Sequence, residues 1–135
     1  MEGAVPLSDD ELCALNTNIL PIYNSVSKQL DLIYYNHAPF ANPINDCQIT
    51  AVLPADIDTA KLAQATVQRI DEKHANPLAT WVGMGAPDYT TSAQNDAILA
   101  SSELKSESLP AGAVIGTSIV LTVPTHGIAV VSIQL

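Results

Sequence analysis

From Leu30 the chain alternates, with Leu30, Leu32 and Tyr34 on one side and Asp31, Ile33 and Tyr35 on the other. A period of two sends successive side chains to opposite faces of a sheet, so a first strand is predicted here. The polar, proline-bearing stretch 36–46 reads as a loop. Gln48 to Leu53 resumes the alternation with Ile49, Ala51 and Leu53 on one face, and Pro54 closes this second strand. Towards the C-terminus, Ser118 to Val123 and Gly127 to Leu135 alternate most cleanly. The Pro124-Thr125-His126-Gly127 between them is long enough for a hairpin turn.

Helical spacing occurs in three places. Ser8 can cap a helix whose Glu11 reaches back three residues later, and Leu12, Leu15 and Ile19 then share a face until Pro21 removes a backbone donor. A short docking helix over residues 8–20 is predicted. Residues 59–70 fit either period: Leu62, Ala63, Val67 and Ile70 suit a helix, whereas Ala63, Ala65 and Val67 suit a strand. Thr91 and Gln94 form a second capping box, opening a helix to about residue 104 whose inner face would be Ala93, Ala97, Ala100 and Leu104. After a Gly/Pro break at 110–116 come the two C-terminal strands. The expectation is four to six strands, mostly at the two ends, with an irregular helical insertion between them. No internal repeat or low-complexity segment interrupts this order.

Composition narrows the picture. At 135 residues and 47% hydrophobic content the chain can build one domain with a core, but it is too short for a complete (β/α)8 barrel, which needs roughly 200 residues or more. Aromatics are scarce, so the core must come from Val, Ile, Leu and Ala. Fourteen acidic against five basic residues give a net charge of -9, which repels nucleic-acid backbones and anionic membrane surfaces, so neither is an expected partner. No apolar run approaches the roughly 18 residues of a membrane span. Glu2 stands where a secretory signal would carry a basic residue, which predicts a cytoplasmic or non-classically secreted protein, or an extracellular one if the sequence is a piece of a secreted enzyme. Cys13 and Cys47 could make at most one disulfide, and two buried free thiols are the expected state.

The familiar catalytic patterns are missing. There is no Gly-x-Ser-x-Gly elbow and no P-loop, and Gly83-Met84-Gly85 is followed by Pro87 and Asp88 where a dinucleotide fingerprint needs its third glycine, so the pair reads as a backbone bend. His37, His74 and His126 lie in separate segments rather than at metal-ligand spacing, although they could meet in space, and no metal or other cofactor is expected. Five Glu and nine Asp offer carboxylates for glycoside hydrolysis, but no pattern among them. The densest set of unusual side chains is Arg69, Asp71, Glu72, His74, Asn76, Trp81 and Tyr89. Read as structure alone, Arg69, Asp71 and His74 form a hydrogen-bonded corner and Trp81 anchors the core.

That same segment carries a resemblance. Arg69-Ile-Asp-Glu-Lys-His-Ala-Asn-Pro, then Trp81-Val-Gly-Met-Gly-Ala-Pro-Asp-Tyr89, then a Gln94-centred helix ending Ala100-Ser-Ser-Glu-Leu104, resembles the C-terminal region of glycoside hydrolase family 39, the β-xylosidase group. The final Val123 to Leu135 resembles the closing strand of those enzymes, and the similarity covers roughly residues 30–135. The resemblance implies a mainly β protein, an antiparallel β-sandwich at 30–135, and with it a strand at 62–70. The helical spacing places one or two helices inserted at about 76–104 and an N-terminal helical segment at 1–29, which the resemblance does not reach, packed on the sandwich. The resemblance also implies what is absent. The family's acid/base glutamate sits in an Asn-Glu-Pro motif, and no Glu follows an Asn here, so no catalytic residue transfers.

Three functions follow as expectations. The first is a non-catalytic, carbohydrate-associated accessory domain that packs on a catalytic barrel, with 71–89 as a contact. The second is a lectin-like module in which Trp81, Tyr89, Tyr34 or Tyr35 stack on sugar rings while Asp71, His74 and Asn76 bond hydroxyls. The third is a self-associating interaction protein, covering with another copy the surface that would meet a barrel.

Overall fold

The computed structural model describes residues 6–135. Asp9–Asn16 (α1) is followed by Thr17–Asn24 (β1), Gln29–Asn36 (β2), Cys47–Val52 (β3), Thr59–Ala63 (α2) and Thr66–Ile70 (β4). Then come Pro77–Gly83 (α3), Ser92–Ser101 (α4), Glu107–Ser108 (β5), Val114–Ile115 (β6), Ser118–Val123 (β7) and Ile128–Gln134 (β8). The strands form a five-stranded sheet in the order β1-β2-β8-β4-β5 and a three-stranded sheet in the order β3-β7-β6. All pairings are antiparallel. The protein is mainly β, as its alternating segments predict.

Alternation explains where the core sits. Leu32 and Tyr34 of β2, Val67 of β4 and Ala129, Val131 and Ile133 of β8 are buried from one sheet, while Cys47, Ile49 and Ala51 of β3 and Ile119, Leu121 and Val123 of β7 are buried from the other. These two inner faces make one continuous cluster, the packing expected of a sandwich. Leu62 of α2 is wholly buried and plugs the same core.

Tyr34 shows how closely the sheets meet. Its hydroxyl, on the five-stranded sheet, donates to the Ile119 carbonyl on the other at 3.0 Å, and its side chain is fully buried. It therefore cannot stack on a sugar. Burial pushes its phenol above the ordinary tyrosine range, because an anion here would lose its hydration. Up to the ordinary value of about 10, folded and unfolded chains both carry the neutral phenol. Above it the unfolded chain ionises and the folded one does not, so stability falls as pH rises. In thermal melts between pH 8 and 11, Tyr34→Phe should lose less stability than the wild type, from a neutral-pH starting point lower by about 1 kcal/mol. Parallel pH curves for the two proteins would contradict this.

Several expectations change. The N-terminal helix has its capping box, with the Ser8 hydroxyl accepting from Glu11 N–H and the Glu11 carboxylate from Ser8 N–H, but it ends at Asn16. Residues 17–20, expected to continue that helix, instead open β1, an edge strand paired in full with β2. Pro21 lies within that strand, where an edge tolerates a missing donor. Residues 1–5 of the expected N-terminal segment lie outside the described residues. Residues 59–70 use both periods in turn, a short helix and then a strand, in place of one strand over 62–70. No hairpin joins β7 to β8, since the turn at 124–127 carries the chain from one sheet to the other.

The cysteines are also corrected. Cys13 and Cys47 form a disulfide, with their Cα atoms 5.7 Å apart and the two residues 34 positions apart in sequence. Because β1 pairs antiparallel with β2, α1 at its start is brought beside the first residue of β3, a closeness that sequence separation does not reveal.

Candidate functional site

The segment after β4 builds a tight corner. Asp71 N–H donates to the His74 carbonyl at 3.1 Å, and the Asp71 carboxylate accepts from Lys73 N–H at 2.8 Å and contacts His74 Nδ1 at 2.7 Å. The Asp71 side chain is 6% exposed and that of His74 35%, so the imidazole screens the carboxylate. Ala75 follows with φ +51°, a left-handed step that redirects the chain into α3. Asn76 caps that helix: its side-chain oxygen accepts from Ala79 N–H at 3.3 Å and its amide donates to the Glu72 carbonyl at 3.0 Å. Both ends of the Asn76 amide are thus engaged in holding the corner.

Trp81 lies in α3 and is half-buried, outside the core cluster it was expected to anchor. Its Nε1–H donates to the Pro87 carbonyl at 3.1 Å and closes the bend that Gly85 (φ +89°) and Ala86 (φ +50°) make. Tyr89 beyond it is 94% exposed. The capping box at Thr91 and Gln94 forms as expected. However, α4 buries no residue, so the predicted inner face of Ala93, Ala97, Ala100 and Leu104 is not one; Leu104 is also past the helix end and 52% exposed. Helix α3 likewise buries none.

Between this corner, the two helices and β5 lies a groove of about 540 Å³. It is lined by Arg69, Glu72, Lys73 and His74 from β4 and the corner, and by Ser101, Glu103, Lys105 and Glu107 from the end of α4 to β5. The structure brings His74 and Asn76 to this groove, places Asp71 behind His74 on a neighbouring depression, and leaves Trp81 and Tyr89 out of both. Arg69 lines the groove and does not join the Asp71–His74 corner. The lining residues that sequence reading did not single out come from 101–107, about thirty residues downstream, and no local pattern marks them as part of a site. Chemically the wall is mixed: Glu72, Glu103 and Glu107 are all exposed, whereas glycosidic acid/base work needs a carboxyl kept protonated by its surroundings, opposite an ionised one. Among the described residues no three His, Cys, Asp or Glu side chains converge to hold a metal ion, and no helix is long and apolar enough to cross a membrane.

Residues 16–116 match Glycosyl hydrolases family 39. The chain belongs to that family. The match begins at Asn16 and so takes in β1, which the initial resemblance did not reach. A β-xylosidase of Caldicellulosiruptor saccharolyticus is 33% identical over 109 residues, covering 79% of this chain and 22% of that protein. Among solved structures, a GH39 β-xylosidase from Caulobacter crescentus superposes with a TM-score of 0.56 at 10% identity, over 87% of this chain and 22% of the other. This family 39 chain therefore spans about a fifth of the length of these relatives, and the second likeness bears on the fold alone.

Proposed function

We propose that this family 39 chain is a non-catalytic, carbohydrate-associated accessory domain whose α3–α4 layer packs against a catalytic barrel. The observation that carries this reading is the layer itself. Neither helix buries a residue, and Leu78, Val82 and Leu99 are 63%, 56% and 67% exposed. Two helices with that much open apolar surface fit a face that another body covers. The lack of any buried carboxyl pair in the groove supports a non-catalytic role. The disulfide suits an oxidising compartment, which favours the extracellular alternative over the cytoplasm.

A second reading, a stand-alone glycan-binding module, draws on the polar groove beside His74 and Asn76. It is the weaker one, since the Asn76 amide is committed to the helix cap and the exposed Tyr89 stands away from the groove. Calorimetric titration with xylo-oligosaccharides separates the two. The accessory reading expects no saturable heat at millimolar sugar. Saturable binding that disappears in Glu103→Ala or Lys105→Ala would replace it with the glycan-binding reading. Light scattering addresses the third arrangement, self-association through the same apolar layer: a dilute monomer is expected, and a stable dimer would assign that face to a second copy.

A further inference from the structure

We propose that His37 and His126 form a two-histidine chelate for a divalent transition-metal ion of the Cu²⁺, Ni²⁺ or Zn²⁺ class. The two residues are 89 apart in sequence, one just after β2 and the other in the turn between β7 and β8, yet their Nδ1 atoms stand 3.2 Å apart. The rings meet edge to face, with centroids at 5.3 Å and planes at 64°. Each nitrogen therefore aims at the space shared with the other.

The backbone on both sides is fixed before any ligand arrives. Asn36 N–H donates to the Gly127 carbonyl at 3.1 Å, joining the neighbours of the two histidines, and His37 N–H donates to the Asn16 carbonyl at 2.9 Å. Buried Asn36 extends its amide to the carbonyls of Asn45 at 2.7 Å and Val123 at 3.1 Å. His126 itself has φ +57°, and Gly127 N–H returns to the Pro124 carbonyl at 2.9 Å. A Cβ at Gly127 would meet that same oxygen at 2.9 Å, so the turn needs glycine there to bring His126 over His37.

The chemistry of the contact points to a cation. A neutral imidazole carries one N–H, so two Nδ1 atoms facing each other require one ring to take the Nδ1–H tautomer; two lone pairs would repel. A metal ion accepts both lone pairs at once. Two nitrogens each ~2.0–2.1 Å from a tetrahedral ion stand ~3.3 Å apart, close to the spacing present. Asp46, just before β3, brings a negative charge to the same turn, its carboxylate accepting from Thr125 N–H at 3.0 Å. Both histidines are exposed, so an ion can enter from solvent and water completes its coordination. With imidazole ligands, Cu²⁺ should bind most tightly, Ni²⁺ and Zn²⁺ less so, and Mg²⁺ and Ca²⁺ not at all.

Titration of the purified, disulfide-bonded chain with Cu²⁺ or Zn²⁺ tests this. One ion per chain is expected, with Cu²⁺ showing nitrogen coupling from two imidazoles by electron paramagnetic resonance. His37→Ala and His126→Ala should each remove the saturable one-to-one binding, while His74→Ala leaves it intact. In the wild type, nuclear magnetic resonance should show the ring nitrogens of His37 and His126 shifting on adding Zn²⁺ and those of His74 unmoved, a readout independent of variant folding. No saturable binding, or binding unchanged in His126→Ala, would overturn the proposal.

Discussion

Replacing Cys13 and Cys47 together by serine should lower the thermal unfolding midpoint by about 10–15 °C. The crosslink joins residues 34 apart, and removing a loop constraint of that length from the unfolded chain costs about 3–4 kcal/mol of stability. For a domain of this size, that free energy corresponds to the stated shift. The loss should be local in structure as well as global in stability. Helix α1 buries only Leu12 and Asn16, so without the bond it has little else to hold it on the sandwich. Treating the wild type with a strong reductant should reproduce the midpoint of the double variant, and amide exchange should quicken first across residues 9–16. An unchanged midpoint in both would mean that Leu12 and the Asn16 amide, which donates to the Pro43 carbonyl at 3.0 Å, hold the segment unaided.

Asn36→Ala should cost about 2–4 kcal/mol, more than an average substitution in this fold. Asn36 is fully buried at the end of β2. Its amide nitrogen donates to carbonyls from the loop after β2 and from the end of β7, at Asn45 and Val123, and more distantly to Pro124 at 3.4 Å. Truncation takes the side-chain donor away from the Asn45 and Val123 carbonyls, while Pro124 keeps its bond from Gly127 N–H, and the penalty for leaving buried polar groups short of a partner exceeds the gain from making the bond. The side-chain oxygen of Asn36 has no partner, so the contribution comes from the nitrogen end. Asn36→Asp keeps the shape and should not rescue stability at neutral pH, because it sets an acceptor against acceptors. Chemical denaturation of the three proteins measures this directly. If the aspartate matched the wild type, the carbonyls would not depend on that amide.

How much was legible in the sequence depends on which contacts each element makes. β2, β3, β7 and β8 could be read because each lies over a shared core and alternates accordingly, as in Cys47, Ile49 and Ala51. β1 could not: it lies at the sheet edge with Leu20, Ile22 and Tyr23 about half exposed, so burial imposes no alternation, and Leu15, Ile19 and Pro21 imitate a helix that ends. Capping at Ser8 and Thr91 was readable because it acts within four residues. The same locality made the Asp71–His74 corner visible three residues apart. Trp81 misled because tryptophan is ordinarily a core residue, whereas here its indole closes a surface bend. The groove lining from 101–107, the disulfide and the His37–His126 pair all depend on segments brought together by the fold, and no single segment shows that they meet.

The most direct measurement is hydrolysis of an aryl β-xyloside by the purified chain, with the Caldicellulosiruptor β-xylosidase as the active control. A non-catalytic family 39 domain should show no turnover above the buffer rate at any concentration. Turnover on the order of 1 s⁻¹ or faster, proportional to the amount of chain and lost in a variant of Glu72, Glu103 or Glu107, would contradict it.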